Sequence, residues 1–106
     1  MNTSTARQTA ILSGAELDRV ARQFRVLGEP MRLKILQAIC AKPLTVNGIV
    51  KATGASQPNV SRHLSLLAAS GLIARKKQAR FVYYQLCDPL TLKLCELVHS
   101  QLLVRR

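Results

Sequence analysis

The reactive side chains of this chain are few. Its 106 residues hold three cysteines (Cys40, Cys87, Cys95), two histidines (His63, His99) and five carboxylates. An odd number of thiols without C-x-x-C spacing reads as free thiols in a reducing compartment. Cys40 has Lys42 two residues on and no acid close by. A neighbouring cation favours the thiolate, which attacks peroxide to give a sulfenic acid and then a disulfide if a second thiol is in reach. Cys87 and Cys95 are the possible partners, although either can instead serve as a small hydrophobe. The three together could also form a trigonal thiolate site for As(III) or another soft ion. No Ser-His-acid set, carboxylate pair, H-x-x-x-H or phosphate-binding Gly loop occurs, so the residues argue against an enzyme and require no cofactor.

A second group of residues suits a polyanion. The formal net charge is +11, from 16 Lys plus Arg against 5 Asp plus Glu. Between Pro30 and Cys87 there is no acid, while Arg32, Lys34, Lys42, Lys51, Arg62, Arg75, Lys76, Lys77 and Arg80 are all basic. Solvated surfaces ordinarily mix the two signs, so this distribution favours nucleic acid. Within the span, Ser56, Gln57, Asn59, Ser61, Arg62, His63 and Ser65 lie along one helical stretch. Gln, Asn and Arg suit base edges, and Ser suits phosphates or bases. Arg75, Lys76, Lys77 and Arg80 cluster around a hairpin tip, where they would position the protein on a duplex more than specify its sequence.

The elements that must position these groups follow from caps and periodicity. Residues 1–12 read as a loose arm in which Arg7 could touch a phosphate, and 13–104 as one domain. Ser13 with Glu16 is a capping box, and Leu17, Val20, Ala21, Phe24 and Leu27 make an apolar stripe that Gly28 ends. Pro30 starts a second helix with Leu33, Leu36, Ile39 and Cys40 on its apolar side. Thr45 caps a short helix ended by Gly54, and Ser56 caps the next, Gln57 to about Ala69, which buries Val60, Leu64 and Leu67. After Gly71 the chain extends, turns at Lys77-Gln78-Ala79, and returns with alternation from Arg80 to Leu86. Asp88 caps a last helix with Pro89 in its first position and an apolar face of Leu90, Leu94, Leu97, Val98 and Leu102.

The expected fold is therefore mainly α. It is a winged helix-turn-helix of about five helices with a two-stranded β-wing, the last helix following the wing. The first and last helices carry more apolar surface than so small a domain can cover. A homodimer through those helices would hide it and would set two recognition helices one DNA turn apart over an inverted repeat. No apolar run is long enough to span a bilayer and no signal-peptide pattern opens the chain, so a cytoplasmic protein is expected, with no membrane partner.

From about Leu17 to Leu102 the chain resembles the ArsR/SmtB family of small dimeric bacterial repressors. The resemblance rests on Leu27-Gly28-Glu29-Pro30-Met31-Arg32-Leu33-Lys34-Ile35-Leu36, on Gln57-Pro58-Asn59-Val60-Ser61-Arg62-His63-Leu64, on Leu67 with Gly71-Leu72-Ile73, and on Arg80-Phe81-Val82-Tyr83-Tyr84-Gln85-Leu86. It implies repression, with release of double-stranded operator DNA when an inducer is sensed. The family's metal sites do not carry over. Its arsenic site resembles Leu-Cys-Val-Cys, where this chain has Leu44-Thr45-Val46-Asn47. Of the last-helix zinc ligands only Asp88 matches, with Leu90, Gln101 and Val104 at the other positions and His99 two residues out of place. No metal site is expected on that ground, His99 reads as a surface or helix-end residue, and His63 reads as a backbone-contacting or structural residue.

The family also contains redox-sensing members. One cyanobacterial peroxide sensor type looks similar around Cys40 but has two adjacent cysteines. Ala41 follows here, so a vicinal disulfide is impossible. Members sensing reactive sulfur place their first cysteine where Gln37 stands. The expected function is a DNA-binding repressor released by oxidation of Cys40, with hydrogen peroxide as inducer. The alternatives are a thiolate-bound metal or metalloid sensor and an effector-free DNA-binding protein.

Overall fold

The computed structural model describes residues 11–104. The order of elements is α1 (Gly14–Leu27), α2 (Pro30–Cys40), α3 (Val46–Thr53), α4 (Gln57–Ala69), β1 (Ile73–Gln78), β2 (Phe81–Leu86) and α5 (Leu90–Val104). This is the expected winged helix-turn-helix. Most of the arm, with Arg7, lies outside the described residues.

Each helix begins where a side chain satisfies its free N–H groups. Ser13 and Glu16 form the reciprocal capping box of α1, with bonds of 3.1 and 2.8 Å. The Glu29 carboxylate accepts from the Arg32 N–H at 2.9 Å and caps α2. Thr45 Oγ1 caps α3 and Ser56 Oγ caps α4. Gly54 ends α3 at φ 76°, a left-handed conformation in which a Cβ is strained, and so permits the tight turn into α4. The last helix departs from expectation. It starts at Leu90, not Pro89. The Pro89 carbonyl already accepts from Lys93 N–H at 3.2 Å, so the proline stands ahead of the helix, and Asp88 turns back to accept from Leu90 N–H at 2.9 Å.

The core is built by α2, α3, α4 and the root of the wing. Ile35, Leu36, Ile39, Ile49, Val60, Leu64 and Leu67 are fully enclosed, joined by Leu27, Leu72 and Ile73. The wing pairs antiparallel from Ile73↔Leu86 out to Gln78↔Phe81. Its turn is therefore Ala79-Arg80, two residues later than the alternation suggests, because Lys77 and Gln78 continue the ladder. A two-residue turn demands a positive φ, and Ala79 supplies it at 56°. Leu44, between α2 and α3, exchanges both backbone bonds with Tyr84 at 3.1 and 2.8 Å and ties the wing to the helices. No sequence signal marks that bridge.

One polar cluster fastens three helices. Arg32, in the first turn of α2, donates from Nε to the Val26 carbonyl at 2.5 Å and from Nη2 to the Arg25 carbonyl at 3.3 Å, closing the end of α1. Its Nη1 lies 3.3 Å from Nδ1 of His63 on α4. His63 is buried, with Nε2 4.0 Å from Glu29 Oε1. The Arg32 N–H bond is the main cause holding the Glu29 carboxyl below its ordinary range, with the charges of His63 and Arg32 acting in the same direction.

Three outcomes are expected. Arg32→Met removes the side-chain donor to the Val26 carbonyl and the polar neighbour of His63, and destabilises the fold by about 1–3 kcal/mol in urea unfolding. Because the Glu29 carboxyl is lowered in the folded state, its contribution to stability is present above the ordinary carboxylate range and is lost as pH falls through the lowered value. Glu29→Gln then flattens the acid limb of a series of urea midpoints. Separately, Ala79→Gly relieves the left-handed alanine and raises stability by about 1 kcal/mol, read as a higher thermal midpoint.

Candidate nucleic-acid interface

Helix α4 presents two unlike faces. Val60, His63, Leu64 and Leu67 point into the protein. Ser56, Gln57, Arg62 and Ser65 are exposed, and Asn59 and Ser61 are half-buried. Gln57, Ser61 and Ser65 recur every four residues, so they line one edge of the helix. Arg62 Nη2 donates to Asn59 Oδ1 at 2.6 Å, which holds the guanidinium along the first turn of the helix. His63 departs from expectation as a DNA-facing residue. The spacing that seats Val60, Leu64 and Leu67 in the core carries position 63 inward, against Glu29 and Arg32. Arg32, one of the basic residues of the acid-free span, is likewise occupied by the Val26 and Arg25 carbonyls.

The wing extends the basic surface. Arg75, Lys76, Lys77 and Arg80 are all exposed. The register divides the basic run. Arg75 and Lys77 stand across from Tyr84 and Val82, whereas Lys76 stands across from Tyr83 on the other face. The exposed edge of α4 and the wing thus lie within one span that carries no carboxylate.

The thiols lie elsewhere. Cys40, four residues after the enclosed Leu36, is nevertheless exposed, because α2 ends there and position 40 falls beyond the enclosed Ile35, Leu36 and Ile39. It lines a cavity of about 360 Å³ between α2 and α5, together with Gln37, Cys95, Glu96 and His99. Cys95 and His99, one helical turn apart on α5, also border an adjoining apolar cavity of about 300 Å³ with Phe24, Leu27 and Val98. His99, expected at the surface, is exposed but lines both. Its spacing of four from Cys95 is the signal available in the sequence. Cys87 does not line this cleft. It follows β2, where its N–H donates to the Leu72 carbonyl at 3.1 Å. The trigonal site of three thiols is accordingly not assembled: among the described residues, no group of three or more His, Cys, Asp or Glu is placed to hold a metal ion.

The outer helices leave apolar surface open. α5 has no buried residue, with Leu97 62% and Leu102 58% exposed, and on α1 Phe24 is 53% exposed. The radius of gyration is 16.3 Å, against about 13 Å for a compact domain of roughly 100 residues. No helix among the described residues is long and apolar enough to cross a membrane.

Comparison with known proteins agrees with this geometry. Residues 29–75, from the cap of α2 into β1, match the family of bacterial regulatory proteins described as the arsR family. A probable mercury resistance operon repressor of Streptomyces lividans is 40% identical over 72 residues, which cover 68% of this chain and 58% of that protein. The transcriptional repressor SdpR of Bacillus subtilis is 30% identical over 63 residues, 59% of this chain and 70% of that protein. Several other curated relatives are spanned over little more than half of their length, 53% and 55% for two of them. The solution structure of the homodimeric winged helix-turn-helix DNA-binding domain of a possible ArsR-family transcriptional regulator from Mycobacterium bovis superposes with a TM-score of 0.76 at 27% identity, covering 90% of this chain and 94% of that one. The chain belongs to the ArsR family of helix-turn-helix regulators.

Proposed function

We propose that the protein is a homodimeric transcriptional repressor that binds an inverted-repeat operator and is released when Cys40 is oxidised. The observation that carries DNA binding is the exposed polar edge of α4 beside a basic wing, within a span free of acids. In this reading Gln57, Asn59 and Arg62 address base edges in the major groove. Ser56, Ser61 and Ser65 hold phosphates or bases, and Arg75, Lys76, Lys77 and Arg80 hold the backbone on either side. Dimerisation through α1 and α5 is supported by their open apolar faces. Their cover would also bring the two α4 helices to the spacing a palindrome requires.

The redox reading rests on the cleft shared by Cys40 and Cys95. The Cys40 thiolate attacks one peroxide oxygen, the O–O bond breaks, and hydroxide leaves and takes up a proton as water. The Cys95 thiol then displaces a second water from the sulfenic acid to form the disulfide. Two thiols lose two electrons and peroxide becomes two waters. A disulfide between α2 and α5 ties the core to a dimer helix, and so would alter how the two halves are spaced. A second reading is favoured by the name of the Streptomyces relative. A soft ion such as Hg(II) or As(III) would be held by the same two thiolates.

The test is fluorescence anisotropy on the upstream duplex at fixed salt, reduced and after mild hydrogen peroxide. Oxidation is expected to weaken binding about tenfold or more. Cys40→Ser and Cys95→Ser should abolish the response, and Cys87→Ser should keep it. No change with peroxide defeats the redox reading, and loss of affinity with As(III) or Hg(II) alone moves it to the soft-ion reading. Binding without sequence preference defeats the repressor. Leu102→Asp is expected to yield monomers in sedimentation and to lower operator affinity. A monomeric parent would remove the dimer from the proposal.

A further inference from the structure

The outer face of the wing carries an aromatic residue that the fold does not use. Phe81 opens β2 directly after the turn and is 52% exposed. It lies outside both the buried core and the hydrophobic residues packed against it. Across the ladder it faces Gln78, on the same face as Lys76 and Tyr83. The other face, with Tyr84, Leu86 and Ile73, is the one that packs against the core. The Arg80 guanidinium sits 5.8 Å from the centroid of the Phe81 ring. Hairpin closure can be served by a polar or β-branched residue at this position, so packing gives no reason for a phenyl ring here.

We infer that Phe81 is a DNA-contact residue, an apolar wedge at the wing tip that enters the minor groove against sugars and base edges. The inference rests on the DNA-binding reading above and names duplex DNA as the occupant on the ground of charge. The ring has Arg80 beside it and Lys76 on its own face of the facing strand, and there is no acid in the whole span from Pro30 to Cys87. A minor groove offers apolar deoxyribose edges between two rows of phosphate, and apolar side chains set among cations are the usual means of entering it. Arg80, resting on the ring in the free protein by a cation–π contact, is placed to move to a phosphate as the ring is covered. The ring supplies apolar area and the cations supply salt-dependent attraction, so the two contributions separate experimentally.

The experiment titrates the full chain on the operator duplex at three salt concentrations, comparing the parent with Phe81→Ala, Phe81→Leu and Arg80→Ala. A second duplex carries 2-aminopurine in the A·T steps flanking each half-site. Phe81→Ala is expected to weaken binding about tenfold with the salt slope unchanged, and Phe81→Leu to recover most of that loss. Arg80→Ala should lower the slope by about one for each phosphate that the arginine no longer neutralises. 2-Aminopurine emission should change with the parent and not with Phe81→Ala. Parent-like affinity of Phe81→Ala, or a loss that Phe81→Leu does not recover, overturns the inference while leaving operator binding intact. A parent without operator preference fails the DNA reading itself.

Discussion

The guanidinium of Arg32 fixes three helices relative to one another. The link between α1 and α2 is only Gly28 and Glu29, too short to leave the helices free but not enough to set their angle. Arg32 settles it by donating to the Val26 carbonyl in the last turn of α1 and, alongside the Gly28 N–H, to the Arg25 carbonyl. A cation there also opposes the negative end of the helix dipole. The same planar fork reaches His63, so the angle of α4 against α2 is tied to the cap of α2. A lysine, with one terminal nitrogen, could not span these partners at once. The exposed polar edge of α4 is set from beneath by this cluster as well as by Val60, Leu64 and Leu67.

That anchoring explains why the outer helices can be spare. The enclosed core draws on α2, α3, α4 and the wing root, with Leu27 the one buried residue of α1. α5 adds only half-buried Leu92 and Leu94. The remaining apolar surface of α1 and α5 stays open, and the thiol cleft lies on the seam between α5 and α2. That seam joins α5 to the helices of the core and lies apart from the exposed polar edge of α4.

The architecture is legible in the sequence because its signals are local. Ser13 with Glu16, Thr45, Gly54 and Ser56 each mark a helix end within a few residues, and the apolar spacing fills in what lies between. Sequence reasoning fails where the deciding contact is distant or where positions compete. The Leu44–Tyr84 bridge joins residues forty apart and leaves no local trace. The wing turn is misplaced because glycine, the usual marker of a positive φ, is absent and Ala79 takes the strain. His63 groups by type with its polar neighbours, although the spacing of Val60, Leu64 and Leu67 already places it inward. The distance of Cys40 from Leu36 suggests the apolar side, yet a helix end leaves its last residue little to pack against. The polar residues of α4 are readable because cap, turn and charge all point to one edge.

The position of the thiols also bears on what oxidation could achieve. A covalent tie shifts an equilibrium only by the difference in its cost between two conformations. Were Cys40 and Cys95 equally well disposed in the DNA-bound and free forms, the disulfide would leave affinity unchanged however readily it formed. Under the proposed redox mechanism, release therefore needs α5 to sit differently on α2 in the two forms. The fold allows such a shift: α5 has no fully buried residue, and its N-terminal attachment is the Asp88 turn and the Pro89 carbonyl. The caps and polar bonds that lock α1, α2 and α4 have no counterpart between α5 and α2 among the hydrogen bonds of the described residues. A helix held by half-buried leucines can slide at small cost, whereas one held by Arg32 cannot. The element that carries Cys95 is thus the one free to register the state of the thiol.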